Sequence, residues 1–400
     1  AAVLILAKTP RRCHPSLSGE GEGPHCLDGT RLHRGKRFLV GCGRLGMTIG
    51  RTGLWTRFDW THDMTTTKTF TYSHTIGFLT AVGRGFTNPV DLAFNSQGVI
   101  YVLNRAGPET TVRLPSKRVS MCTIDEEFLG EWGTGGQGDG EFWWPSSIAI
   151  DSLDQVYVAD EGLQRVSIFD KDGKFLSQWG VKGSADGQLE YPSSIAFDAD
   201  DNLWLTDSGN HRVQKFTKDG QLISAWGQRG SGPGQFQRPW GLALTEAGDV
   251  YVSDWGNDRI QRYSAGGVLI EEFDGLPEGD AIHRPAGLAV DGDGNMYVAD
   301  WGNEKVKVLG PNGSLLATLR GESVDSKWAA DYFAVNPEEG QLRSEADLFP
   351  ELDPPVRRER EISAGVEGYF WGPSAVKLDR QGRLYVADSL RHRLQVYQVN

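Results

Sequence analysis

Pro145-Ser-Ser-Ile-Ala-Ile150, Val156-Tyr-Val-Ala-Asp160, Arg165-Val-Ser-Ile-Phe169 and Phe175-Leu-Ser-Gln-Trp179 follow one another with only short polar connections between them. Each run alternates β-branched or aromatic residues, and Asp170-Lys-Asp-Gly173 supplies a tight turn that needs positive φ, so the stretch reads as four antiparallel strands. The unit starts again at Pro192, Pro239 and Pro285, 46 or 47 residues apart. It also starts at Pro89, 56 residues before Pro145, and at Pro373, 88 residues after Pro285. A period in this range decides the architecture before any single element is assigned. Helical period is absent from these units, and six of them predict an all-β fold, a six-bladed β-propeller of four-stranded blades.

The copy from Pro373 supplies three strands before Asn400, while Phe70-Thr-Tyr-Ser-His-Thr-Ile-Gly-Phe-Leu79 is a strand that belongs to no unit and ends like the fourth strands elsewhere. We expect it to pair with the last blade and close the ring, which removes two open sheet edges. The long step after Pro285 marks an insertion, residues 321–370, between blades five and six. Lys327-Trp-Ala-Ala-Asp-Tyr-Phe-Ala-Val335 has apolar residues at helical spacing, and Asn336-Pro337 ends it, so the insertion is expected to be partly helical.

These residues resemble the NHL repeat, whose pattern is a proline and a small residue, an apolar strand, Asp-x-x-Gly-x-Tyr-Val-Ala-Asp, then Asn-x-Arg-Val. The resemblance is closest at Pro239–Tyr263 and Pro285–Val308, is good at Pro192–Phe216, and runs over residues 69–400. Blade one departs from it with Asn104 in place of the second-strand acid, and blade six with Leu390-Arg391-His392 in place of Gly-Asn-x. The resemblance implies a rigid platform for proteins or small ligands.

The chain is acidic, with net charge −12, 38% hydrophobic residues, 51 Gly and 13 Trp. Residues 1–63 carry about +5 and the remainder about −17, so the two parts are read separately. The first part also holds Cys13, Cys26 and Cys42. A secretory signal is disfavoured because the charges follow Ala1-Ala-Val-Leu-Ile-Leu-Ala7, and a zinc site from Cys13, His14, His25, Cys26 and Cys42 lacks paired cysteines two to four residues apart. The favoured expectation is that Met64 is the natural start and that 1–63 is a disordered, non-native leader. Beyond it only Cys122 remains, so no disulfide framework is expected. No apolar stretch approaches the roughly 18 residues of a membrane span, and the expectation is a cytoplasmic monomer.

Loops from strand two to three and links from blade to blade share one face in known propellers. On that face Asp160 and Arg165, Asp207 and Arg212, Asp254 and Arg259, Asp300 and Lys305, and Asp388 and Arg393 stand at one spacing. Each pair is expected to clamp its own loop, the carboxylate accepting backbone and guanidinium hydrogen bonds. Together with Asn104 and Arg105 they form the rim expected to dock a ligand or partner. At the mouth of the inner strands, where other blades place Ser147, Ser194, Gly241, Gly287 or Ala375, blade one has Asp91, suited either to a cation or substrate hydroxyl or to a pair with Arg105. Trp255 and Trp301 share a loop slot, and Trp240 follows a blade proline; such aromatics serve either a binding surface or packing between blades. Trp328, Tyr332 and Phe333 of the insertion are expected to form a lid over the channel mouth, the alternative being that they cover a blade flank.

Three functions follow: a binding scaffold for a protein or small molecule, favoured here; a metal-dependent lactonase or lyase; and RNA binding. Lactonases that resemble this repeat hold a divalent metal through Glu, Asn and Asp in the channel, whereas only Asp91 and Asn104 suit that role here. The expectation is no cofactor, with a divalent cation at Asp91 as the alternative. The histidines of a related amidating lyase are missing, and His74, His211, His283 and His392 follow no common blade position. A domain near −17 repels phosphate, which disfavours nucleic acid.

Overall fold

A computed structural model describes residues 68–105, 116–274, 276, 279–352 and 358–400. The leader, the Met64 start and the candidate zinc residues lie outside them. Six four-stranded antiparallel sheets form the blades. Their innermost strands are Pro89–Phe94, Pro145–Ile150, Pro192–Phe197, Pro239–Leu244, Pro285–Val290 and Pro373–Leu378. In the sixth blade Phe70–Ile76 takes the outermost place, antiparallel to Arg393–Val399, with Phe70 opposite Val399 and Ile76 opposite Leu394.

The second strand of every blade is buried at each residue, as in Val156–Asp160 and Leu203–Asp207, whereas the fourth strands are half exposed. A sheet packed against a neighbour on both faces has no solvent side near the axis, so its second strand is buried along its whole length. The core is therefore divided into six clusters, one at each junction between neighbouring blades. Tyr101, Val119, Phe142, Val156 and Phe169 lie between blades one and two.

A repeated contact locks these junctions at the periphery. The last residue of a fourth strand, Trp132, Trp179 or Trp226, lies flat on the turn glycine of the next blade. A Cβ added to Gly173, Gly220 or Gly267 would fall 2.1, 2.5 or 2.5 Å from the indole, so only glycine fits there. Blade six offers Ile76 at this place, and Ile76 is too small to fill it. The insertion supplies the missing ring. Trp328 is 2% exposed, with its centroid 5.8 Å from Phe86 and 6.1 Å from Phe128, and its Nε1–H donates to the Glu126 carbonyl.

Trp328 lies in the helix α1, Lys327–Val335, which is followed by α2, Pro337–Glu345, and α3, Glu359–Gly365. The Glu126 carboxylate accepts the Lys327 N–H at 2.7 Å, and Ser326 accepts the Ala329 N–H at 3.1 Å, so two groups cap α1. Tyr332 packs tilted against Phe78, ring centroids 5.6 Å apart. This corrects the lid expectation: Trp328, Tyr332 and Phe333 cover the flank of the blade six to blade one seam, because that junction has a hole of indole size.

Trp328→Ala should cost about 3–5 kcal/mol in denaturant unfolding, the range for emptying a buried aromatic site. Tyr332→Ala, at a half-buried position, should cost less. Equal and small losses for both would show that the seam does not need the indole.

Candidate functional site

The acids at the ends of the second strands are at most 1% exposed, so they stand behind the rim and are not offered to a partner. Asp207 accepts the Glu190 N–H at 2.7 Å on one oxygen, and Arg212 Nε at 2.9 Å, Asn210 Nδ2 at 2.9 Å and Gln214 Nε2 at 3.0 Å on the other. Asp254 does the same with Gln237, Arg259 and Asn257, and Asp388 with Trp371 and Arg393. Each carboxylate thus ties the incoming link to its own hairpin. Burial raises the carboxyls of Asp207, Asp254, Asp300 and Asp388 against the opposing pull of these hydrogen bonds.

Two of the five paired spacings do not become pairs, and blade one departs from the pattern. Asp160 accepts the Trp143, Trp144, Gly162 and Leu163 N–H groups, while Arg165 reaches the carbonyls of Gly138 and Glu141 at 2.7 and 2.9 Å. Asp300 pairs with Lys307 at 3.2 Å, and Lys305 turns to Glu359 at 3.4 Å. In blade one Asn104 accepts the Thr87 N–H at 2.8 Å. The arginine of that hairpin is Arg118, opposite Asn104 in register and paired with Glu131 at 2.7 Å, because the loop between strands is longer there. Arg105 pairs instead with Glu161.

A second set of contacts joins each of blades two to six to the next. Gln164, His211, Asp258, Glu304 and His392 each precede the third strand, at φ between 54° and 58°. Each accepts the N–H of the residue before the next blade's proline: Tyr191 at 2.6 Å, Arg238 at 3.0 Å, Arg284 at 2.7 Å, Gly372, and Asn88 at 3.0 Å. His211 and His392 therefore do share a blade position, which corrects the sequence reading. Any side chain with an acceptor serves there, so residue identity hides the pattern.

The channel itself is plugged. Asp91 lies in the ring with Ser147, Ser194, Gly241, Gly287 and Ala375, and is 5% exposed. It accepts Ser147 Oγ at 2.6 Å and the Ile148 and Leu92 N–H groups at 3.1 and 2.9 Å, and pairs with Lys377 at 3.3 Å across the seam. A Cβ at Gly241 would meet the Ala286 carbonyl at 2.2 Å, so the backbones already touch. The free volume, about 20 Å³, accommodates about one water molecule. Among the described residues no three His, Cys, Asp or Glu side chains cluster as metal ligands. Asn104 is turned into its blade, donating to Ser120 Oγ at 3.1 Å, and does not join Asp91. The donor set does not fit a divalent cation.

Above the plug opens a bowl of about 440 Å³ walled by Trp144, Trp240, Trp255 and Trp301, with Arg105 and Arg360 at its edge. The rings of Trp255 and Trp301 are 6.4 Å apart. Arg105 lies 4.2 Å over Trp144, Arg284 4.8 Å over Trp255 and Arg360 4.6 Å over Trp301. None of the four bowl indoles donates its N–H to another described residue, whereas Trp179 and Trp328 do so in the junctions. Trp240, Trp255, Trp301 and Arg105 were singled out in the sequence and meet here. Trp144 and Arg360 were not, since one stands just before a blade proline and the other lies in α3.

Residues 142–169, 189–216, 236–263 and 370–397 match the family model described as NHL repeat. The chain carries NHL repeats. Among solved structures, this NHL propeller is similar to a protein of unknown function from Bacteroides thetaiotaomicron, at 18% identity over 83% of this chain and 76% of that one, with a TM-score of 0.53. It is also similar to a gluconolactonase from Xanthomonas campestris, at 17% identity over 82% and 99%, TM-score 0.50. A virginiamycin B lyase from Staphylococcus aureus aligns at 12% identity over 83% and 99%, TM-score 0.49. At these identities the likeness is one of fold. No curated protein matches the chain. No helix among the described residues is long and apolar enough to cross a membrane.

Acceptance by Nδ1 requires His392 to be neutral in the folded chain. Burial, helped by the charge of Arg391, pushes its pKa down to about 4. With about 6.5 for the unfolded chain, the native state binds fewer protons, so stability is complete above pH ~6.5 and falls as pH drops toward ~4, by about 3 kcal/mol. His392→Gln keeps an acceptor, as Gln164 does, and does not titrate. Denaturant unfolding at pH 7 and pH 4 should show a loss about 3 kcal/mol larger in the wild type than in the variant; parallel losses would remove the latch from the pH response.

Proposed function

We propose that this NHL propeller is a binding scaffold whose ligand seat is the tryptophan bowl. The observation that carries the reading is a wide apolar bowl standing over a closed channel. A cavity of about 440 Å³ falls within the roughly 300–1,000 Å³ usual for ligand sites, and an apolar wall with few polar groups is their common lining. Indole faces shed water when covered, and an unengaged N–H gives direction. The residue best placed for chemistry, Asp91, lies in the plug below and already has hydrogen-bond donors and Lys377 around it. The ligand is a small molecule, or a side chain presented by a protein. A lactonase or lyase reading, suggested by the fold shared with the gluconolactonase, asks for cation ligands that Asp91 and Asn104 do not assemble. The acidity of the chain weighs against RNA.

Titration of an aromatic fragment panel, followed by tryptophan fluorescence, should find ligands that bind the wild type and bind Trp240→Ala about 2- to 12-fold more weakly, the loss expected for one aromatic contact. Saturable turnover of lactones with added divalent cation, abolished by Asp91→Ala, would replace the scaffold reading with an enzyme.

A further inference from the structure

The charged groups that line the bowl are of one sign. The protein is net −12, yet the charged side chains that line the bowl are Arg105 and Arg360, and no carboxylate is among the lining residues. Their partners stand behind: the Glu304 side chain is 1% exposed and that of Glu161 is 13% exposed. Each arginine gives one terminal nitrogen to its glutamate. A guanidinium has five N–H donors in a rigid fork, so most of each fork is left over.

Two further observations show that the chain does not saturate these donors. Arg105 Nε is buried and makes no hydrogen bond among the described residues, so its guanidinium keeps unmet donor capacity. Arg360 is 44% exposed at the edge of the bowl, and only its Nη1 is hydrogen bonded among the described residues. Both forks are held in place before any ligand binds, each stacked on an indole and braced by a glutamate. Aromatic bowls attract cations as well, but a cationic ligand here would lie against the guanidinium groups of Arg105 and Arg360 that line the bowl.

We propose that the bowl selects a small organic acid: a flat apolar body against Trp240, Trp255 and Trp301, with its carboxylate on the guanidinium forks of Arg360 and Arg105. The proposal rests on the bowl being the ligand seat and adds the sign of the ligand's charge. A carboxylate matches a guanidinium edge with two parallel hydrogen bonds, which neither an alcohol nor an amine offers.

Calorimetric titration of the full chain with 2-naphthoate, neutral 2-naphthylmethanol and the cationic trimethyl(2-naphthylmethyl)ammonium tests this. We expect 2-naphthoate to bind at least tenfold more tightly than the alcohol, and the cation most weakly. Arg360→Gln should erase that advantage while leaving the affinity for the alcohol within twofold, which also reports that the bowl is intact. Arg360→Lys, which keeps the charge and loses the fork, should retain only part of the advantage. Equal affinity for acid and alcohol, or tightest binding of the cation, overturns the proposal and leaves the bowl as a ligand seat. Failure of all three to bind removes both.

Discussion

The fold depends on a buried carboxylate used twice. At the end of a second strand, Asp207 or its counterpart holds the incoming link with one oxygen and its own hairpin with the other. A charge at that depth is tolerated only when its hydrogen bonds are complete, so every partner is constrained in turn. The link, the hairpin loop and the proline that opens the blade become one rigid body. In blades two to six the side-chain acceptor that precedes the third strand then fastens that body to the next blade. Such a face does not need to order itself around a ligand.

Much of this was legible in the sequence, because periodicity survives substitution. The proline period, the Asp-x-x-Gly turns and the surplus strand at Phe70 gave the blades and their count. Spacing was a poorer guide to side-chain partners. Asp160 and Arg165 stand at the same separation as Asp207 and Arg212, yet four backbone N–H groups around Asp160 displace the guanidinium. The latch from one blade to the next was invisible for the opposite reason: glutamine, histidine, aspartate and glutamate all perform it, so a constant geometry is written with a varying alphabet.

The bowl combines both cases. Trp255 and Trp301 fill one repeat slot, and Trp240 another, so their departure from the consensus drew notice. Trp144 comes from a third slot and Arg360 from outside the repeats altogether, and only the folded ring brings them together. A fold built of near-identical parts acquires an individual site where single copies deviate on the same side of the axis. The plug is made the same way, since Asp91 and Lys377 are the acid and the base that break rings otherwise made of serine, glycine and alanine.

The junction between the last blade and the first has a consequence for how this sequence can vary over generations. In blades one to four the strand that ends the blade carries its own aromatic plug, but here Ile76 depends on an indole lent by Trp328, 252 residues away. Enlarging Ile76 collides with the borrowed ring, and losing the ring leaves a void beside Ile76. The two positions are bound to change in step, and relatives lacking the helical segment are expected to carry a bulky aromatic residue at the place of Ile76.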